Sequence, residues 1–276
     1  MTDSEKNLPL GKQTVYPSHY APDLLCPFPR QIKRDLIGLS GSLPFAGYDI
    51  WNAYELSWLN GKGKPVVAMG EFHLPCSSPC LIESKSFKLY LNSFNQSRFA
   101  SAKQVENCLI EDLSRAAGEH IRGRLIESDQ FAGEQIQTLP GECLDDQDLA
   151  IDQYLLDPAL LANAADAENR VAEELHSHLL KSNCLVTDQP DWGSLLIRYR
   201  GGRIDRAALL RYIISFRQHQ EFHEQCVERI FVDLMRYCKP EQLTVYARYS
   251  RRGGLDINPF RSNFETRIAN LRLARQ

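Results

Sequence analysis

Apolar positions along the chain keep two rhythms, and the pair of rhythms occurs twice. Alternating or apolar runs, Pro65 to Leu74 and Ser194 to Tyr199, read as strands. Each is followed by two stretches whose apolar residues recur three or four apart, the spacing of one helical face. Val105, Leu109 and Leu113 mark the second helix of the first set, and Val227, Ile230 and Leu234 that of the second. Ile121–Ile126 and Leu243–Tyr249 then return to strand character. The two sets are copies. Ile82-Glu83, Tyr90 to Phe94 and Val105-Glu106 recur as Ile204-Asp205, Tyr212 to Phe216 and Val227-Glu228 at a constant offset of 122. Past a one-residue slip, Asp112-Leu113 and Arg115 match Asp233-Leu234 and Arg236.

Each copy therefore reads as two strands, two helices and two strands, an α+β module with two helices on one face of an antiparallel sheet. Residues 1–140 are expected to form the first module and 176–276 the second. Between them, Glu142 to Glu174 carries ten acidic side chains and one basic one, with Ala-rich stretches. That composition predicts a solvated connector helix over 141–175.

Composition changes the picture only by exclusion. The chain has 276 residues, 43% of them apolar and 24% charged, which suits a soluble globule with a real core. A net charge of −3 gives no bulk reason to expect a nucleic acid or an anionic membrane as main partner. No apolar run approaches the ~20 residues of a membrane span, and the opening MTDSEKNLPLGK does not resemble a secretory signal. Cysteines at 26, 76, 80, 108, 143, 184, 226 and 238 are scattered, so free thiols in a reducing cytoplasm are expected.

Candidate chemistry lies where the copies differ. Copy one opens its first helix with Glu83-Ser84-Lys85-Ser86-Phe87-Lys88, where copy two has Asp205-Arg206-Ala207-Ala208. Copy two alone carries Ser182-Asn183-Cys184 followed by Asp191, and Phe222-His223-Glu224 where copy one has Arg98 to Ala102. A composite site built from both halves accounts for that division; drift in a structural duplicate is the competing account. Cys184 is the candidate nucleophile, since a thiolate attacks and a neighbour must manage its proton. Asp191 lies across the turn Gln189-Pro190-Asp191-Trp192-Gly193, which can fold it back toward the sulfur. The alternative is a buried, inert thiol, the role expected of Cys226 and Cys238. His223 can act as a general acid and Glu224 can accept from the N–H edge of a heterocycle, unless both merely occupy an exposed first helical turn. Glu83 has a plain reading too, at a helix start with Ser84 as cap.

Lys85 and the group Arg248, Arg251, Arg252 with Gly253-Gly254 suggest a phosphate site, or else a solvated charged face. Neither a Rossmann nor a P-loop motif occurs. His73, Cys76 and Cys80 match none of the usual structural zinc spacings, so no metal is expected.

Together these motifs resemble the QueF family of NADPH-dependent nitrile reductases. The likeness rests on Glu83 to Tyr90, Ser182 to Cys184, Gln189 to Gly193, Glu221 to Arg229 and Tyr249 to Pro259, with Tyr16 to Arg34 near the start, and fits the long, two-module subgroup. The resemblance implies tandem tunnelling folds and reduction of 7-cyano-7-deazaguanine to 7-aminomethyl-7-deazaguanine with NADPH. It implies Cys184 as the nucleophile that forms a thioimide, Asp191 as proton donor and His223 as its assistant. It further implies a substrate site of Ile82, Glu83, Ser84, Phe222, His223 and Glu224. Ser84, Lys85, Arg252 and Gly253 would hold NADPH, and a homodimer is the implied assembly. Two other classes answer to the same residues: a thiol hydrolase using Cys184 with Asp191 or Glu224, and a non-catalytic purine binder.

Overall fold

The computed structural model describes residues 16–185 and 187–276. They divide into two compact units. Unit one holds the described residues up to Leu36, Tyr48–Gln135 and Arg251–Ile257; unit two holds Ile37–Gly47, Ile136–Ser250 and Asn258–Gln276.

In unit one, strand β1 (Ala46–Leu59, its first two residues in unit two) pairs antiparallel with β2 (Pro65–Pro75), and β2 with β3 (Arg122–Glu127). Helices α1 (Ser84–Ser93) and α2 (Ala102–Ala117) lie in sequence between β2 and β3. Trp51, Ala53, Phe72 and Leu74 from the strands and Phe87, Tyr90, Val105, Leu109 and Leu113 from the helices form one buried core, completed by Leu255 and Ile257. The helical spacing read from Val105, Leu109 and Leu113 is the face this core buries. One expected strand does not follow β3 within the unit. After Ile126 the apolar alternation stops at Glu127-Ser128-Asp129-Gln130, and the chain winds into 3-10 turns over Ser128–Gly133.

Unit two contains β4 (Glu142–Cys143), β5 (Ala165–Ser177), β6 (Lys181–Asn183), β7 (Pro190–Ile204), helices α3 (Arg206–Ser215) and α4 (His223–Tyr237), β8 (Gln242–Tyr249) and β9 (Leu255–Ser262, its first three residues in unit one). The strand order is β9-β8-β7-β5-β4, antiparallel except for the parallel β5–β4 pair, and β6 pairs with the start of β7.

The duplication is visible at side-chain level. Tyr90 of α1 donates its hydroxyl to Asp112 of α2 at 2.7 Å, and Tyr212 of α3 donates to Asp233 of α4 at 2.7 Å. Ser93 and Ser215 each bond back to the carbonyl of that tyrosine, at 2.6 and 2.7 Å. The α+β class expected for both modules is what the chain has.

The acidic stretch is not a connector helix. Residues Ala165–Ser177 form strand β5, which runs beside β7 from Leu195↔Ser177 to Ile204↔Ala165. Ala and Glu favour helix in isolation, but sheet pairing overrides a propensity of a few tenths of a kcal/mol per residue (~0.5). Its acids have partners: Arg206 grips Glu173 with both terminal nitrogens, at 2.8 and 2.9 Å, and Arg198 holds Glu174 at 2.8 Å. Among the described residues no helix is long and apolar enough to cross a membrane. All eight cysteines are free thiols.

Candidate active site

The β6–β7 hairpin brings the thiol and the carboxyl of unit two into one local structure. Cys184 is the first residue beyond β6, and its N–H donates to the carbonyl of Gln189 at 2.8 Å. Asp188 closes the turn at φ +56°, a left-handed conformation that Asp tolerates better than most side chains, and donates its N–H to the Cys184 carbonyl at 3.1 Å. The chain then reverses so that Asp191 of β7 lies opposite Ser182 of β6. The fold-back expected from the 189–193 turn is thus a hairpin, with Cys184 5% and Asp191 4% exposed.

A second segment docks on the other side of β6. Asn183 N–H donates to the His219 carbonyl at 2.7 Å and Glu221 N–H to the Asn183 carbonyl at 3.3 Å. This delivers Phe222, His223 and Glu224 to the start of α4, where Phe222 is the N-cap residue and no side chain caps the helix. His223 Nε2 stands 3.4 Å from Asp191 Oδ2, just beyond an ordinary hydrogen bond. The imidazole also lies flat on the Tyr249 ring, with centroids 3.7 Å apart and planes 10° apart. His223 is 8% and Glu224 3% exposed, so the exposed-turn reading of this pair fails. Burial alone would raise the Glu221 carboxyl, but His219 and Arg229 hydrogen-bond it and hold it down at about 2. Glu221 thereby pins the segment just before the candidate acid.

Cys226 and Cys238 behave as expected of core residues. Cys226 is fully buried and burial pushes its thiol far up, while burial alone pushes Cys238 up to about 11. Neither is poised to form thiolate near neutral pH.

Unit one holds the remaining candidates. Glu83, fully buried, is itself the cap of α1: its two oxygens accept the N–H groups of Lys85 and Ser86, each at 2.8 Å. Burial raises its pKa, with those two N–H bonds opposing. Ser84 therefore opens the helix and does not cap it, which corrects the plain reading of that motif. Asp205 caps α3 in the equivalent way, accepting from Ala208 N–H at 2.7 Å. Ile82 ends the short strand Cys80–Ile82 and is buried in the core of unit one.

The residues Arg252 and Gly253, expected in the second module, belong to unit one. Arg252 N–H donates to the Leu255 carbonyl at 2.8 Å and Tyr54 N–H to the Gly254 carbonyl at 2.8 Å, which ties the turn to β1. Gly253 and Gly254 have φ of +56° and +74°, and a Cβ on Gly254 would sit 2.6 Å from the Glu55 carboxyl carbon. A Cβ on Gly253 would sit 3.1 Å from Lys88 Cδ, so the turn approaches α1 beside Lys88, three residues after Lys85. Lys88 was not singled out from the sequence, although its spacing from Lys85 places both on adjacent turns of one helix face. Arg248 departs from the expected basic group: it is 2% exposed in unit two and bonds Gln276 and Tyr246. Arg251 lies over the Tyr54 ring at 5.0 Å. A turn of two left-handed glycines beside Lys88, with Arg252 before it and Lys85 one helical turn from Lys88, suits a ligand carrying phosphate groups.

Of the residues missed in the sequence, Tyr249 and Glu221 matter most. Both sit inside quoted motifs, but stacking and pinning depend on strand pairing that spacing does not reveal.

Two family models match the chain. One, described as nitrile reductase, 7-cyano-7-deazaguanine-reductase N-term, matches residues 16–125. The other, described as QueF-like protein, matches residues 190–267. Both are of tunnelling-fold type, in agreement with the two α+β units.

Proposed function

The chain belongs to the QueF family of nitrile reductases, and on that premise we propose that it reduces the nitrile of 7-cyano-7-deazaguanine to the aminomethyl group, using NADPH and a covalent thioimide on Cys184. The observation that carries this reading is the meeting of Cys184, Asp191 and His223 on one hairpin and one helix start, with Asp191 and His223 3.4 Å apart.

A nitrile carbon accepts hydride poorly, and nucleophilic addition divides that hard step into easier ones. The Cys184 thiol gives its proton to solvent, and the sulfur bonds to the nitrile carbon while one π pair moves to nitrogen. Asp191 gives that nitrogen a proton, and His223 restores the proton to Asp191. The stack on Tyr249 keeps the imidazole edge directed at the carboxyl. When bound, NADPH supplies hydride, two molecules per nitrile, so that RCN + 2 NADPH + 2 H⁺ gives RCH2NH2 + 2 NADP⁺. Cys184 departs as a thiol during that sequence and is regenerated. Glu224 accepts from the N–H edge of the base and Phe222 stacks on it. Unit one carries the other assignments: Ile82, Glu83 and Ser84 for the base, and Ser84, Lys85, Arg252 and Gly253 for NADPH. Lysine and arginine favour the extra phosphate of NADPH over NADH. The enzyme works as a homodimer in a reducing cytoplasm, where its eight thiols stay free.

Intact-protein mass spectrometry after incubation with the nitrile and no reductant tests the reading. The expected result is one adduct of the full substrate mass, absent from Cys184→Ala, and consumption of about two NADPH per product once reductant is added. Conversion of the nitrile to amide or acid with NADPH untouched would instead establish a thiol hydrolase, and tight binding without an adduct would establish a binder.

A further inference from the structure

We propose that Cys143, His176 and His178 form a zinc site at the β4–β5 edge of unit two, with no ligand among the residues assigned to the nitrile chemistry. The sulfur and one nitrogen of each ring all lie within 4.8 Å of one another. Bonds of about 2.3 Å to sulfur and 2.0 Å to nitrogen set ligand atoms roughly 3.3–3.7 Å apart around a tetrahedral ion. Side-chain rotations that bring these atoms closer by up to about 1.5 Å therefore close the set.

The backbone and outer contacts are already those of a ligating pair of histidines. Cys143 lies opposite His176 in the parallel β4–β5 pair, and Leu144 N–H donates to the His176 carbonyl at 2.8 Å. His176 Nδ1 stands 3.0 Å from the Pro140 carbonyl, which can only accept. That nitrogen is therefore the N–H, and Nε2 keeps the lone pair a metal needs. His178 Nδ1 is engaged by Ser194 Oγ at 2.8 Å, again leaving Nε2 for the ion. Asp145 fixes the approach of both strands, accepting from Ser177 Oγ at 2.6 Å and from His178 N–H at 2.8 Å. The two rings meet edge to face, 5.3 Å apart. A thiolate and two imidazoles, with carbonyl and hydroxyl partners behind the rings, select zinc over the hard cations calcium and magnesium. On binding, the Cys143 thiol gives its proton to solvent and water takes the fourth position.

In the sequence, His73, Cys76 and Cys80 are the residues nearest to a metal-ligand spacing, and they match no structural zinc pattern. His73 is instead bonded to Glu71 at 2.7 Å and stacked on Tyr48. Cys143 and His176 are too far apart in sequence to form a recognisable spacing, and the strand pairing alone brings them together.

Cobalt(II) titration of the full chain reads the site through the thiolate-to-metal charge-transfer band in the near ultraviolet. One equivalent should bring up the band, and one equivalent of zinc should abolish it. The band should persist in Cys184→Ala, vanish in Cys143→Ser, and need at least tenfold more cobalt in His178→Gln. Thermal unfolding of the two site variants without metal shows whether they fold, and zinc should raise the midpoint of the parent but not of Cys143→Ser. Absence of the band in the parent, or its survival in folded Cys143→Ser, would overturn the proposal.

Discussion

The two helix pairs of this chain share an internal lock and differ at the start of the second helix. In unit one Ser101 caps α2, its hydroxyl accepting the N–H of Gln104 at 3.2 Å. At the matching place in unit two stands His223, and no side chain caps α4. A lost cap costs a helix about 1 kcal/mol, yet this start is buried and carries His223 against both Asp191 and Tyr249. Two positions earlier in each repeat frame the contrast recurs. Phe99 packs in the apolar core of unit one, whereas Glu221 of unit two is a buried carboxylate held by His219 and Arg229. One copy carries the arrangement that stabilises a helix, and the other carries ionisable groups there. Local stability given up at one of two equivalent places is a mark of function.

The largest break in the comparison is expected from Asp191→Asn. The amide keeps the shape of the hairpin but has no proton to deliver, so turnover should fall by about 10²–10⁴-fold. Substrate affinity should persist, while the Cys184 adduct, read by mass, should form correspondingly more slowly. Turnover within a few-fold of the parent would take the acid role from Asp191 and leave the uncapped helix start unexplained.

How far the sequence reaches is clearest at the elements it misjudged. The offset of 122, the helical faces of Val105 and Val227 and the reversal between Cys184 and Asp191 all depend on residues close in sequence or on side-chain periodicity, and the folded chain keeps them. The composition of the acidic stretch suggests a helix, but composition does not distinguish a solvated helix from a strand whose acids meet arginines on neighbouring elements. Within β5 the buried residues Leu175 and Ser177 do alternate, and period two was the signal to follow. Tyr249 against His223, and Arg252-Gly253 against Lys88, come from strand pairing and chain exchange over long separations, which no spacing rule encodes.

Glu221 gives a smaller effect and a pH dependence. Its folded pKa of about 2 lies below the ordinary 4.5, so the folded state favours the ionised form. The resulting stability is fully present above pH ~4.5 and is lost as pH falls toward 2, amounting to about 3 kcal/mol. Urea unfolding of the parent and Glu221→Gln should show a gap that narrows by roughly that amount between pH 5 and 2. A gap independent of pH would mean that the carboxylate does not anchor the segment before His223.

The shared lock supplies the finest test. Tyr212→Phe removes the hydroxyl bonded to Asp233 in unit two, and Tyr90→Phe removes its counterpart on Asp112 in unit one. Were the copies equivalent, both would cost the same. They are not, because Asp112 keeps other donors: the Tyr20 hydroxyl and, at 3.0 Å, the Arg115 guanidinium. Asp233 sits in a site where burial raises its pKa, and the Tyr212 hydroxyl opposes that rise. Stripping a donor from a buried carboxylate costs about 1–3 kcal/mol, and a remaining donor recovers much of it. Tyr212→Phe should therefore lower stability by about 2 kcal/mol and Tyr90→Phe by about 1 kcal/mol or less, measured by urea unfolding at pH 7. The double variant Tyr20→Phe/Tyr90→Phe leaves Asp112 the Arg115 guanidinium and should carry the loss in unit one beyond that of Tyr90→Phe alone, toward the Tyr212→Phe value, which makes the segment carrying Tyr20 one reason this lock tolerates damage that the other does not.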